Sequence, residues 1–250
     1  MKLNGANSNY ANDVGMIKAT DLFSEWADKG KDVIMADGHR ASVLEMLDEV
    51  KLIAPLSGSK SNNENNCNND DVEIFRLGRV LELGCGNGWV FREQFQFFDV
   101  DYYLGIDGAK SMINKAKKES EEISTKLNNF EFKNDDLTNF LYDKNPFDLI
   151  FSMEVLYYLQ EDDLKALFER IYDHLLAKNG RFIFGVDRYT ENVDSHGWDT
   201  LNNTPMILYS EEQWKKVVED SGLKIIKQFR AAQGRKLMEE GTMVIVATKE

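Results

Sequence analysis

The spacing of apolar positions divides the chain into two unequal parts. Over residues 10–56 apolar side chains recur at helical intervals: Leu22, Phe23 and Trp26, then Val43, Leu44, Leu47 and Val50 after a break at Asp37-Gly38. This spacing predicts helices that end near Pro55. From residue 78 onward short apolar runs alternate with longer amphipathic stretches. Strands are expected at Arg79–Leu83, Tyr102–Ile106, Phe130–Lys133, Phe147–Ser152 and Arg181–Val186. Helices are expected around Glu93–Phe98, over Ala109–Lys126, and over Asp162–Ala177, where Leu164, Leu167, Phe168, Ile171 and Leu175 share one face and Asn179-Gly180 ends the element. Ser210, placed before Glu211 and Glu212, caps a further helix that Gly222 closes. Strand–helix alternation of this kind implies a mostly parallel sheet covered on both faces. The last two strands, Lys224–Arg230 and Thr242–Thr248, are joined without a crossover helix and should be antiparallel neighbours.

Between the two parts lies Ser57–Asp71, polar and Asn-rich, with almost nothing to bury. It reads as a mobile loop, and Cys67 within it as an exposed thiol. The expected organisation is one domain over 1–250: an N-terminal helical cap (1–56), the loop (57–71), and a core (75–250) with a long insertion at 187–209.

Composition narrows the function classes. With 250 residues and 42% hydrophobic content, the chain can bury a sizeable core. Its formal net charge of -13 repels phosphate backbones and anionic lipid, so neither nucleic acid nor a membrane is an expected partner. The one local cluster of lysines, Lys110, Lys115, Lys117 and Lys118, falls at helical spacing and reads as a solvated face. Two cysteines, Cys67 and Cys85, make no disulfide framework. With no apolar leader or membrane-spanning run, a soluble cytoplasmic protein is expected. No compact set of His, Cys and carboxylate residues suggests a metal.

Candidate chemistry concentrates at the end of the first core strand. Gly84-Cys85-Gly86-Asn87-Gly88 leads from strand to helix, and glycines there let the backbone approach a ligand closely. Alone, such a loop indicates only a nucleotide-like ligand. The dinucleotide fingerprint Gly-x-Gly-x-x-Gly is not met, because the third glycine is Gly88 and position 89 is Trp. Glu82 precedes the loop, and a carboxylate there disfavours pyrophosphate and suits a cation. Asp107 ends the next strand, where a carboxylate can accept both ribose hydroxyls; capping the following helix is its alternative role.

The run Val80–Gly88, then Gly105-Ile106-Asp107, Asn134-Asp135-Asp136-Leu137, and Phe147–Leu159 resembles the class I S-adenosylmethionine (SAM) dependent methyltransferases, and Leu175–Phe184 resembles that superfamily's helix, turn and fifth strand. The likeness spans about residues 75–250. It implies a Rossmann-like α/β fold: a seven-stranded, mostly parallel sheet with an antiparallel last strand, helices on both faces and, here, the helical cap. It also implies SAM as cofactor and S-adenosylhomocysteine (SAH) as product. By position, Glu82, Gly84, Gly86 and Gly88 would frame the methionine part, with Cys85 as a small loop filler. Asp107 would hold the ribose, and Gly108 and Ala109 would flank the adenine. Asp136, with Asp135 as its rival, would meet the adenine amino group, and the Leu137 backbone the ring. Ser152 and Met153 would lie near the methionine end.

The acceptor is expected at the carboxyl ends of the strands, under the N-terminal helices and the 187–209 insertion, which is long for a connection. His196, in that insertion, is the candidate base. Tyr157, after the fourth core strand, is the favoured pocket residue of the group Glu154, Tyr157 and Tyr158. His39 is a further pocket candidate; Trp26 reads as core, with covering the cofactor as its alternative, Trp214 reads as core, and His174 as structural. The expected activity is methyl transfer to a small-molecule acceptor. The alternatives are a catalytically silent binding protein of the same fold and, on the glycine loop alone, an NAD-dependent oxidoreductase.

Overall fold

The computed structural model describes residues 18–53, 56–60, 72–121, 129–187, 204–234 and 241–250. Two helices lead: α1 (Ala19–Asp28) and α2 (Asp32–Ile53). The break between them is at Gly30, which takes φ of +71°. Asp37-Gly38 was the expected break, yet α2 runs straight through it. A β-carbon at Gly38 would meet nothing within 4 Å. One exposed glycine inside a 22-residue helix is a tolerable local cost when Val43, Met46, Leu47 and Val50 are all buried.

The strands are β1 (Leu56–Lys60), β2 (Val72–Leu83), β3 (Asp99–Asp107), β4 (Phe130–Asn134), β5 (Phe147–Met153), β6 (Leu176–Val186), β7 (Lys224–Ala231) and β8 (Thr242–Thr248). Their order across the sheet is β4-β3-β2-β5-β6-β8-β7, with β1 paired antiparallel to the first part of β2. Within the main sheet β8 alone runs against its neighbours, as the short β7–β8 connection requires. The start of the expected mobile loop, Ser57–Lys60, is therefore strand; residues 61–71, including Cys67, lie outside the described residues.

The helices α3 (Trp89–Glu93), α4 (Lys110–Glu119), α5 (Glu161–Arg170) and α6 (Glu211–Asp220) cover the sheet. The expected helix at Glu93–Phe98 is displaced: α3 begins directly at the glycine loop, and a 3-10 turn follows at Phe95–Phe97. The expected helix ending at Ala177 instead passes through a π turn at Ile171–Leu175 into β6, which starts at Leu176. At Ser210 the structure has the reciprocal cap: the hydroxyl accepts from the Gln213 N–H, and the Gln213 side chain accepts from the Ser210 N–H.

Strand side chains alternate between two buried layers. Leu81, Leu83, Leu104 and Ile150 pack with α5 and α6 through Leu164, Phe168 and Trp214. Val80, Tyr103, Leu149 and Phe151 pack with α2, α3 and α4 through Met46, Phe91 and Ile113. Both faces are dry, so the strands read as continuous apolar runs. Leu83 stands beside Ile106 and Ser152, and Met153 beside Gly185. These registers bring the carboxyl ends of β2, β3, β5 and β6 to one edge of the sheet. The connection from β2 to β3 leaves on one side and β5 lies on the other, which opens a crevice there.

Candidate active site

A cavity of about 580 Å³ occupies that crevice. Its floor is the loop after β2. Gly84, Gly86 and Gly88 all have positive φ. At Gly84 a β-carbon would lie 2.3 Å from Val155, so the backbone path there requires glycine for space as well as for torsion. The loop is tied back to β3 by Gly84 and Cys85 N–H groups donating to the Ile106 carbonyl.

Two carboxylates face the loop, Glu82 buried and Asp107 partly buried. Asp107 accepts from the Gly86 N–H at 2.9 Å and from the Ala109 N–H at 2.7 Å. Burial raises its pKa, and those two hydrogen bonds oppose the rise. Glu82 accepts from the Tyr103 hydroxyl at 2.6 Å. Burial pushes its carboxyl up to about 8; the Tyr103 bond works against this, and the nearby Asp107 charge adds to it. No lysine or arginine pairs with either carboxylate among the described residues. Gly105 keeps this region compact: a β-carbon there would meet the Tyr103 hydroxyl at 2.8 Å and Cys85 Sγ at 2.9 Å. Burial, then the charges of Asp107 and Glu82, hold the Cys85 thiol well above its ordinary value, which disfavours a nucleophilic thiolate.

The roof comes from the cap. Thr20 of α1 lies so close to Gly108 that a β-carbon there would sit 2.6 Å from it. At the start of α2, buried Asp32 accepts from Asn87 of the glycine loop at 2.8 Å and from Lys115 of α4 at 2.7 Å. Desolvation works against ionisation of Asp32, but the bonds from Lys115 and Asn87 outweigh it and lower its pKa. His39, further along α2, lines the cavity; desolvation lowers its imidazole to about 4 and keeps it neutral at pH 7.

The family model described as a methyltransferase domain matches residues 35–228, most of this chain. The chain belongs to that methyltransferase family. Over 173 residues it is 26% identical to phosphoethanolamine N-methyltransferase 3 of Arabidopsis thaliana, covering 69% of this chain and 34% of the relative. It thus spans about a third of that relative's length. Among solved structures, a chain from the complex between the Haloferax volcanii Trm112 methyltransferase activator and a methyltransferase aligns with TM-score 0.71 at 22% identity, covering 90% and 96% of the two chains. The DhpI-SAM-HEP complex aligns with TM-score 0.63 at 16% identity, covering 95% and 99%. NodS from Bradyrhizobium japonicum WM9 with SAH aligns with TM-score 0.55 at 19% identity, covering 70% and 79%. At these identities the structures establish the fold, and the family model establishes the class.

The methyltransferase takes SAM as its cofactor, and the site fits that group. An unpaired carboxylate at Glu82 suits a cationic end, and the Asp107 carboxylate, held by two N–H groups, suits a diol. The structure brings Glu82, Gly84, Cys85, Gly86, Asp107, Gly108, Asp136, Leu137 and Met153 together on the cavity wall. It sets three other expected residues apart. Gly88 caps α3 and packs toward Phe132 and Ala116. Ala109 contributes its N–H to Asp107 and buries its side chain. Ser152 is fully buried, its hydroxyl bound to the Leu83 carbonyl at 3.0 Å. Of the rival acids, Asp135 has one oxygen on Lys133 and the other on the Asp136 N–H. Asp136 engages one oxygen, with the Thr138 N–H and hydroxyl.

On the acceptor side the structure differs from expectation. Tyr157 is buried in the core and contributes its carbonyl to the Ile207 N–H; Tyr158 lines the cavity instead. Glu154, at positive φ, redirects the chain into a 3-10 turn over Leu156–Tyr158, which rotates successive side chains by about a third of a turn. His196 and Trp198 lie outside the described residues. Sequence reasoning missed Asp32, Asn87 and Thr20. Asn87 stands inside the glycine loop and could have been singled out; Asp32 and Thr20 carry no local signal. The described residues contain no metal-ligating group of three or more, and no helix among them is long and apolar enough to cross a membrane.

Proposed function

We propose that this chain transfers a methyl group from SAM to a small-molecule acceptor bound beneath α1 and α2. The observation that carries this reading is the extent of the cavity. It continues past the cofactor-facing carboxylates to His39, Glu154, Tyr158 and Asp163, under a helical roof. Its volume lies in the range of small-molecule sites, about 300–1,000 Å³. The Arabidopsis relative is named for methylation of phosphoethanolamine, an acceptor of this scale.

In this reading Glu82 holds the cationic amino acid end of the cofactor, Asp107 the ribose hydroxyls, and Asp136 with the Leu137 backbone the adenine. Cys85, Gly86 and Met153 shape the walls around the reacting methyl group. SAM supplies an already activated methyl, so the acceptor attacks in line and the protein's contribution is alignment and exclusion of water. His39, kept neutral by desolvation, can accept a hydrogen bond from the acceptor, and a pKa of about 4 makes it a weak base. His196, from the insertion, is the candidate for taking a proton from an acceptor that must lose one. The buried thiol of Cys85 and the acidic surface are in keeping with a reducing cytoplasm.

The test is methyl release from labelled SAM with a panel of amines, thiols, phenols and acids, run beside calorimetric titration with SAH. Transfer to one acceptor class is expected. Tight SAH binding without transfer to any member would convert the assignment to a binding protein, and no SAH binding at millimolar ligand would sink it. The family match already removes the nicotinamide-dependent alternative.

A further inference from the structure

Glu154 is a buried carboxylate that none of the cofactor contacts above uses. It directly follows β5 with φ of +54°, a conformation that side-chain-bearing residues rarely adopt. Such strain persists where surrounding structure holds a residue for a purpose. Here the restraints are visible. The Glu154 N–H donates to the Gly185 carbonyl at 2.8 Å. Its carboxylate accepts from the Thr242 hydroxyl at 3.0 Å, from the Tyr157 side chain and from the Asp187 N–H. Thr242 in turn accepts from Ser42 of α2 at 3.3 Å. Elements far apart in sequence thus converge on one acidic residue of the cavity wall.

All three donors are neutral. No lysine or arginine among the described residues faces this carboxylate, although it is 7% exposed. Burial raises its pKa; the neutral hydrogen bonds oppose the rise without supplying a countercharge, which a cation in the cavity would supply. Tyr158, which feels the Glu154 charge, and Phe23, packed against Tyr158, also line the cavity. Phe23 and Tyr158 lie 5.2 Å apart, edge to face at 80°. After burial, the Glu154 charge is the main influence holding the Tyr158 hydroxyl protonated. The charge acting on Glu82, by contrast, is Asp107. The two carboxylates serve different regions of one cavity.

We propose that Glu154, together with the rings of Phe23 and Tyr158, forms a cation subsite for the methyl acceptor, so that the acceptor carries a positively charged nitrogen; where that nitrogen is the one methylated, the ammonium first releases its proton to solvent, and the neutral amine's lone pair forms the new bond as the S–methyl bond of SAM breaks. An acidic group beside aromatic faces is the arrangement that recognises ammonium ions over neutral molecules of equal size. The inference rests on the methyl-transfer reading and names its substrate class.

The experiment uses the full chain saturated with SAH, titrated calorimetrically with choline and with 3,3-dimethylbutan-1-ol, its uncharged isostere. Choline should bind at least about tenfold more tightly. Glu154→Gln should abolish that preference, Phe23→Leu should reduce it, and the SAH affinity of Glu154→Gln should stay within about twofold of the parent, which also reports an intact fold. Equal affinities, no binding of either probe, or a preference that survives both substitutions overturns the proposal. So does a loss of SAH affinity in Glu154→Gln as large as that in Glu82→Gln, because the carboxylate would then belong to the cofactor. Methyl release separates this from the broader reading. Transfer confined to acids or phenols overturns the subsite and leaves a methyltransferase. A choline preference without transfer to any acceptor supports the subsite and overturns the activity.

Discussion

Glu82 sets folding against binding within one side chain. Its folded carboxyl titrates at about 8 against an ordinary value of 4.5, so the cofactor-free protein takes up a proton on folding. The sign follows: the group's contribution to stability is greatest below about 4.5 and is lost as pH rises through the window to about 8. A cationic ligand requires the ionised form. SAH affinity should therefore strengthen from pH 6 to pH 8 and level off above, with proton release visible as buffer-dependent heats in calorimetry. Glu82→Gln should raise the melting temperature of the cofactor-free protein at pH 8 and weaken SAH binding by about tenfold or more. An affinity indifferent to both pH and substitution would remove Glu82 from the cofactor site. This residue was readable in sequence because Gly84 and Gly86, which line the same cavity, are two and four positions away. Tyr158 was not. Its choice over Tyr157 depends on the torsion of Glu154, which no local pattern encodes.

At the scale of elements, the cap and the cofactor loop are joined by one side chain. Asp32 opens α2 and binds Asn87 of the loop and Lys115 of α4 together. Lys115 is partly exposed, which screens its share, but the Asp32 side chain is nearly fully buried. Asp32→Ala should lower stability by about 1–2 kcal/mol in urea titrations and weaken SAH binding several-fold in calorimetry, because the loop loses its tie to the roof. An unchanged affinity would mean that roof and loop act independently. The helices themselves were legible where amphipathic spacing was strong, as in α5, or where a cap marked the start, as in α6. Their ends were not. Gly38 looked like a stop and was carried through by tertiary packing of α2, while the true turn at Gly30 had no stronger signal. β1 was hidden because Ser57–Lys60 has no apolar alternation; its pairing with β2 lies in backbone hydrogen bonds, which composition does not register.

Across the whole molecule, the cavity joins both layers of the sheet edge to the cap, so ligand binding should stabilise the fold as a unit. At SAH a hundredfold above its dissociation constant, linkage adds about 2.7 kcal/mol to unfolding. For a chain of this size that corresponds to roughly 5–10 °C in the melting temperature. Two separated transitions, one of them insensitive to SAH, would show that the cap unfolds apart from the core.

The sequence by itself determined the class of fold, the antiparallel last strand, and the glycine loop between Glu82 and Asp107. Those features are periodic or contiguous, so each is written in residues that stand close along the chain. Tertiary structure alone decided which side chains meet beyond that loop. Thr20, Asp32, His39, Glu154, Tyr158 and Thr242 come from four separate stretches, and their chemistry arises only where the fold brings them together. The glycine loop could announce its ligand because backbone conformation is a local property. A recognition surface assembled from distant side chains has no such local record.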